Sequence, residues 1–77
     1  MNKVLFFAHL RDAAGVESVE WDAAGKTVAE VKEEITTHFK LQKMETVMTA
    51  INEEFAANDE VIKTGDIIAF IPPVSGG

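Results

Sequence analysis

Only one segment of this chain has the periodicity of a long helix, and this limits the folds that the chain can adopt. Four apolar residues recur at spacings of three and four: Val28, Val31, Ile35 and Phe39. They form one apolar stripe along a helix. Thr27 and Glu30 form a capping box at its start, because each side chain satisfies a backbone N–H that the helix leaves unpaired. One helix covers one face of a sheet, so the remaining residues must supply that sheet.

Short apolar segments around this helix have the composition of β-strands. Strands are predicted at residues 3–8, 16–21, 46–51, 54–56 and 67–71. His9 to Ala14 predicts a helical turn ended by Gly15, and Asn52-Glu53 predicts a tight turn. The order β-β-α-β-β-β predicts a single α+β domain over residues 1–77, in which one main helix covers a mixed sheet of four or five strands.

The first and last strands are apolar on both faces, which is unusual for a sheet with a single covering helix. With a period of two, one face carries Val4, Phe6, Ile68 and Phe70, and the other carries Leu5, Phe7, Ile67 and Ile71. We assign the first set to the helix side, although the pattern is also compatible with the reverse. Either way, a large apolar set lacks a cover, and an exposed patch of this kind usually marks a partner site. The sequence therefore predicts a protein partner.

Composition excludes several classes of function. Thirteen acidic against seven basic residues give a net charge of −6, the wrong sign for binding nucleic acid or an anionic membrane surface. The longest apolar run, Val4 to Ala8, is far shorter than the roughly 20 residues of a membrane span, and no secretory signal is recognisable. We therefore expect a cytoplasmic protein. The absence of cysteine excludes a disulfide framework, a thiolate nucleophile and a cysteine-ligated metal.

The sequence offers no constellation of catalytic or metal-binding residues. His9 and His38 are not at a paired ligand spacing, so we expect no metal site and no bound cofactor. Glu33 and Glu34 are adjacent on the helix, where their carboxylates diverge instead of converging on one atom. Trp21 is interpreted as a packing residue rather than a platform for a ligand. We therefore expect that the chain is not an enzyme by itself.

The last six residues, Pro72-Pro73-Val74-Ser75-Gly76-Gly77, predict an extended and flexible C-terminal tail. Fully extended, six residues span roughly 20 Å, which is enough to carry the terminal carboxylate into the active site of a neighbouring protein. Two glycines let that neighbour close around the backbone, because no Cβ blocks a narrow tunnel. The alternative is a frayed terminus without a role.

Together, the Lys-Val-Leu-Phe-Phe-Ala strand, the central helix, the Asn-containing hairpin and the Pro-Pro-Val-Ser-Gly-Gly ending resemble the small subunit of molybdopterin synthase. The resemblance implies a ubiquitin-like β-grasp fold and a sulfur carrier of molybdenum cofactor biosynthesis. In that family an ATP-dependent activating enzyme of the MoeB type adenylates the terminal glycine, and a sulfurtransferase provides the sulfur that converts it to a thiocarboxylate. The tail then enters the large subunit, where the sulfur passes to cyclic pyranopterin monophosphate to form the dithiolene of molybdopterin.

This resemblance also implies roles for individual residues. Gly77 is the covalent site, first as the glycyl adenylate and then as 1-thioglycine. Phe7, Phe55 and Ile71 correspond to apolar positions that contact the large subunit. We also expect Arg11 to reach a carboxylate of the partner. Synthases of this family are expected to contain two small and two large subunits. By this resemblance the chain donates sulfur but does not catalyse the transfer, and ATP is used by the activating enzyme.

Three alternative functions share these features. A sulfur carrier of the thiamine pathway has the same fold and ending, and partner identity distinguishes it. A ubiquitin-like modifier would join Gly77 to target lysines, and high-mass conjugates would reveal it. A β-grasp interaction module with an irrelevant tail would be unaffected by blocking the C-terminus.

Overall fold

Five strands and two α-helices form along residues 1–73, the part of the chain that the computed structural model describes. In chain order they are β1 (Asn2–Phe6), α1 (His9–Ala14), β2 (Ser18–Trp21), α2 (Val28–Phe39), β3 (Met48–Ile51), β4 (Glu54–Phe55) and β5 (Ile67–Ile71), with a 3-10 turn at Met44–Thr46 before β3. Four residues of the predicted tail, Val74, Ser75, Gly76 and Gly77, lie outside the described residues.

The strands form one mixed sheet in the order β2-β1-β5-β3-β4. The first and last strands, β1 and β5, are parallel neighbours at its centre, and all other pairs are antiparallel. Residues of α2 share one hydrophobic core with residues of β1 and β5. This arrangement is the ubiquitin-like β-grasp fold, and it confirms the predicted α+β domain with one main helix.

Helix α2 begins and packs as its sequence predicts. The Thr27 hydroxyl accepts a hydrogen bond from the Glu30 N–H at 3.2 Å, and the Glu30 carboxylate accepts one from the Thr27 N–H at 2.9 Å, which completes the capping box. Val28, Val31 and Ile35 are fully buried, so the stripe faces the core over the first two turns. In the last turn Phe39 is only half-buried.

The assignment of the two sheet faces is confirmed, and the reverse assignment is wrong. Parallel pairing sets Val4 beside Ile68 and Phe6 beside Phe70, and none of the four is more than 3% exposed. On the opposite face, Phe7 is 44% exposed. A single helix therefore buries one apolar face and leaves the other open.

The strand boundaries differ from the sequence prediction by one or two residues at several ends. β1 ends at Phe6 rather than at Ala8, because Ala8 adopts a positive φ of 53° that turns the chain into α1. The third strand begins at Met48 rather than at Thr46, because the Thr46 hydroxyl and N–H both donate to the Lys43 carbonyl and close the 3-10 turn. β2 begins two residues later than predicted, and β4 ends one residue earlier.

Several core residues lie outside the regular elements of the sheet and α2. They are Leu10, Ala23, Leu41, Met44, Val47 and Ile62. Ile62 is held by two backbone hydrogen bonds of 2.8 Å, one to the Lys26 carbonyl and one from the Gly25 N–H. The long segment between β4 and β5 therefore closes the core at the start of α2.

We predict that Thr27→Ala lowers the free energy of unfolding by about 1 kcal/mol, because it removes the acceptor for the Glu30 N–H at the start of α2. Thr37→Ala is the matched control, since Thr37 is an exposed residue in the last turn of the same helix. Urea unfolding of both variants measures the difference. Equal stabilities would show that the Thr27 side chain contributes nothing to the stability of the fold.

Candidate functional site

The open face of the sheet is a concave apolar surface, which we call the concave sheet surface. It has a volume of about 610 Å³ and is lined by Leu5, Phe7, Ala50, Asn52, Glu53, Phe55, Ile67, Ala69 and Ile71. Ala50 pairs directly with Ala69 across β3 and β5, so two small side chains lie at its centre. Larger side chains, among them Leu5, Phe7 and Phe55, line the rest of the surface.

Three large apolar side chains on this surface are exposed to water. Phe7 is 44%, Ile67 is 43% and Phe55 is 69% exposed. Burying such groups against a partner would contribute a favourable free energy of about 25 cal/mol for each Å² of apolar area. A contiguous patch of this kind marks an interaction site more often than a scatter of single exposed residues does.

The structure brings three of the four predicted interface residues together. Phe7, Phe55 and Ile71 all line the concave sheet surface. Arg11 does not line it, because its guanidinium lies on α1 and donates to the Glu17 carboxylate at 3.4 Å in an exposed ion pair. Exposed pairs of this kind contribute little to stability. Contact of these residues with a partner stays a prediction.

Four residues of the surface were missed by the sequence analysis: Ala50, Asn52, Glu53 and Ala69. Ala69 follows from the alternation of β5, since it lies between Ile67 and Ile71 at the same period of two. The other three depend on how β3 and β4 align with β5, which local sequence does not determine.

One edge of the surface is fixed by hydrogen bonds between Asn52 and Asp66. The Asn52 Nδ2 donates to the Asp66 Oδ1 at 2.9 Å, and the Asn52 Oδ1 accepts from the Ile67 N–H at 3.0 Å. The other carboxylate oxygen of Asp66 accepts from the Lys63 N–H at 2.9 Å. This backbone hydrogen bond, followed by the one from Asn52, lowers the pKa of Asp66 from its usual value.

β5 leads directly from the concave sheet surface toward the tail. Ile71 lines the surface, Pro72 is buried and Pro73 is exposed. β5 ends at Ile71, and Pro72 is buried because it continues the inward alternation of Ile68 and Phe70. Val74, Ser75, Gly76 and Gly77, with the predicted covalent site, lie outside the described residues.

A second, open groove lies between β2 and α2, and Trp21 lines it together with Glu34 and His38. The Trp21 Nε1 donates to the Glu34 Oε1 at 2.9 Å, and the Lys26 ammonium donates to both oxygens of the same carboxylate at 3.0 and 2.9 Å. Lys26 and then Trp21 hold the pKa of Glu34 below its usual value. Trp21 is half-buried and engaged within the domain, which agrees with its interpretation as a packing residue.

Within residues 1–73, no three histidine or acidic side chains lie close enough together to hold a metal ion. No helix in the same part of the chain is long and apolar enough to cross a membrane. The concave sheet surface is therefore the feature of the described residues that most clearly suggests a function.

We predict that Trp21, the only tryptophan of the chain, reports the protonation of Glu34. Because the pKa of Glu34 is lowered, its stabilising contribution is complete above the usual glutamate pKa of about 4.3 and is lost as the pH falls through the lowered value. Fluorescence recorded from about pH 5 to pH 2 should show this transition in the wild type and in the Glu33→Gln control, but not in Glu34→Gln. Identical curves for all three proteins would contradict it.

The fold and the concave sheet surface place this chain in the class of small β-grasp proteins, and comparison with known proteins agrees. The family model described as the ThiS family matches residues 4–77. The chain belongs to the ThiS family. Molybdopterin synthase sulfur carrier subunits are similar to it along the whole chain: that of Haemophilus influenzae is 34% identical and covers 100% of both chains, and that of Chlamydomonas reinhardtii is 38% identical over 97% of this chain and 96% of its own.

Solved structures show the same fold. The putative molybdopterin converting factor subunit 1 of Pyrococcus furiosus is 33% identical, with a TM-score of 0.76 over 95% of this chain and 97% of its own. The small archaeal modifier protein 1 of Methanosarcina acetivorans is 26% identical, with a TM-score of 0.82 over 99% and 95%. A Helicobacter pylori complex of subunits 1 and 2 of molybdopterin-converting factor, 23% identical with a TM-score of 0.71 over 99% and 97%, has the same fold. These findings confirm the resemblance to the small subunit of molybdopterin synthase.

Proposed function

We propose that this chain is a cytoplasmic sulfur carrier subunit of molybdopterin synthase, whose Gly77 carries sulfur as a thiocarboxylate. The observation that carries the proposal is the similarity over the whole chain to molybdopterin synthase sulfur carrier subunits. The Gly-Gly ending of the sequence agrees with it. Each thiocarboxylate donates one sulfur to cyclic pyranopterin monophosphate and returns to a carboxylate, so two carriers supply the two sulfurs of the molybdopterin dithiolene.

The chemistry requires activation by another protein. An α-carboxylate has a pKa of about 3.5, so the Gly77 carboxylate is ionised at neutral pH and is a poor electrophile. Its oxygen attacks the α-phosphorus of ATP, pyrophosphate leaves, and the resulting acyl adenylate has AMP as a good leaving group. A sulfur nucleophile at the oxidation level of sulfide then displaces AMP. ATP is bound by the activating enzyme of the MoeB type, and this chain binds no cofactor.

The concave sheet surface is the docking site for the large subunit in this proposal. Its exposed apolar side chains, Phe7, Phe55 and Ile67, supply area that burial against a partner stabilises. Ile71 lies on the surface two residues before the exposed Pro73, so a partner docked there lies beside the origin of the tail. The assembly of two small and two large subunits, and the sulfurtransferase that supplies the sulfur, belong to the same proposal.

A second candidate function is protein modification, and one comparison favours it. The Methanosarcina acetivorans neighbour is a small archaeal modifier protein, and modification would use the same adenylated Gly77. Covalent conjugates of this chain with other proteins in lysates of the source cell would support modification. A protein that carries only the terminal thiocarboxylate would support sulfur transfer.

We predict that deletion of Gly77, or addition of one residue after it, abolishes formation of the thiocarboxylate and leaves the domain folded. The reacting atoms belong to the terminal carboxylate, whereas the core is formed by residues of the sheet, α2 and their connections. Intact mass after incubation with the activating enzyme, ATP and the sulfur donor should show one oxygen replaced by sulfur in the wild type and in Thr37→Ala only. A thiocarboxylate on either tail variant would contradict the proposal.

Gly76→Val should also slow formation of the thiocarboxylate, because a β-branched residue restricts the backbone and widens the tail.

We predict that Phe7→Arg weakens binding of the large subunit without unfolding the domain. Loss of a central aromatic anchor typically costs at least about 2 kcal/mol, roughly a thirtyfold loss of affinity, and a charge at the same place costs no less. Val16→Arg is the matched control, since Val16 is 40% exposed and does not line the concave sheet surface.

Thermal melting of the free variants is measured beside titration with the large subunit. A normal melt with unchanged affinity of Phe7→Arg would exclude Phe7 from the interface. A lost melt would show that its exposed position does not tolerate a charge in the folded domain.

A further inference from the structure

The hairpin between β3 and β4 has an unusual connection to the neighbouring strand β5. Asn52 and Glu53 form its turn with positive φ angles of 51° and 71°, a conformation that Asn tolerates better than most residues. The Asn52 N–H donates to the Ile67 carbonyl at 2.9 Å, and the Ile67 N–H returns a hydrogen bond to the Asn52 side chain instead of the backbone. The amide oxygen of Asn52 therefore supplies the acceptor that extends the β3–β5 ladder into the turn.

Asp66 connects this amide to the rest of the domain. Its two carboxylate oxygens accept from the Asn52 Nδ2 and from the Lys63 N–H. The turn formed by residues 63–66 is in turn anchored to β1, because Asn2 is 1% exposed and its Nδ2 donates to the Lys63 and Asp66 carbonyls at 2.8 and 3.0 Å. The tip of the hairpin is therefore joined to the fixed end of β1.

The hairpin needs this support because β4 is short and lies at the edge of the sheet. β4 contains two residues, and they pair with β3 alone. The turn residue Glu53 and the β4 residue Phe55 both line the concave sheet surface, where Phe55 is 69% exposed. Phe55 has little packing of its own to hold it, so its position depends on the hairpin backbone.

We propose that Asn52 and Asp66 are positioning residues of the docking surface: their hydrogen bond holds the β3–β4 hairpin so that Phe55 is preorganised to contact the partner. This inference rests on the proposed function, because the partner is the large subunit. It assigns a role in binding to two residues that act on Phe55 through the hairpin backbone, and Asn52 itself also lines the concave sheet surface. Preorganisation increases affinity because the entropy cost of ordering the hairpin is met on folding and not on binding.

The hydrogen bond can be broken and restored with nearly the same atoms. Asn52→Asp keeps an oxygen for the Ile67 N–H but sets a second oxygen against the Asp66 carboxylate. Asp66→Asn keeps an oxygen for the Lys63 N–H but sets an NH₂ group against the Asn52 NH₂ group. The double variant restores the hydrogen bond in the opposite direction, and its net charge equals that of the wild type. Asn58→Asp is the control for added charge, since it lies outside the concave sheet surface.

Affinity for the large subunit of molybdopterin synthase, measured by calorimetry, is the first readout. We expect each single variant to bind about five- to tenfold more weakly, which corresponds to the net contribution of one typical hydrogen bond. The double variant and Asn58→Asp should bind within about twofold of the wild type. Unchanged binding by the single variants, or no recovery in the double variant, would overturn the proposal.

The same variants in a Phe55→Ala background show whether the effect acts through Phe55. If it does, the single variants should lose little further affinity once Phe55 is removed, because additivity fails for coupled positions. A full additional loss in that background would assign the hydrogen bond a general structural role and would overturn the proposal.

Amide hydrogen exchange of the free domain separates this proposal from the proposed function. The Glu54 amide and the Ala56 amide, which donates to the Thr49 carbonyl, should exchange faster in each single variant and return to the wild-type rate in the double variant, while core amides such as that of Ile35 stay unchanged. If the wild type does not bind the large subunit, the proposed function fails. Exchange that is equally slow in all variants overturns the positioning role whatever the partner.

Discussion

The parallel pairing of β1 with β5 is the interaction on which the rest of this structure depends. It joins the two ends of the described chain in the centre of the sheet, and it sets Val4 beside Ile68 and Phe6 beside Phe70 against α2. Both strands are apolar on both faces, as is usual for strands at the centre of a sheet. Residues 1–73 contain one long helix to cover them, so the pairing that builds the core also creates the concave sheet surface.

The core and the concave sheet surface are therefore two sides of the same strands, which gives neighbouring residues opposite sensitivities. Phe6 is 3% exposed and Phe7 is 44% exposed, although they are adjacent in the sequence. A polar substitution at Phe6 buries an unpaired polar group and destabilises the domain. The same substitution at Phe7 acts on an exposed residue, which makes binding separable from folding at this position.

The sequence predicts the elements whose signals are local and misses those that depend on distant residues. The capping box of α2, its apolar stripe and the alternation of β1 and β5 are each contained within about a dozen residues, and each is confirmed. Ile62 and Leu41 are core residues in irregular segments, where no periodicity marks them. The Asn52–Asp66 hydrogen bond spans 14 residues and depends on the alignment of β3 with β5, so the sequence identifies the turn at Asn52 but not what the side chain does.

An exposed apolar surface beside an edge strand favours self-association, and the placement of charge in this chain opposes it. β4 has two residues, so it offers a second copy of the chain very little strand to extend. Glu53 and Glu54 lie at this edge next to Phe55, and the net charge is −6. Two copies approaching through this edge bring carboxylates together, which costs free energy. A partner with basic groups at the matching positions meets no such repulsion, so the acidic edge favours a different protein over a second copy on the same apolar surface.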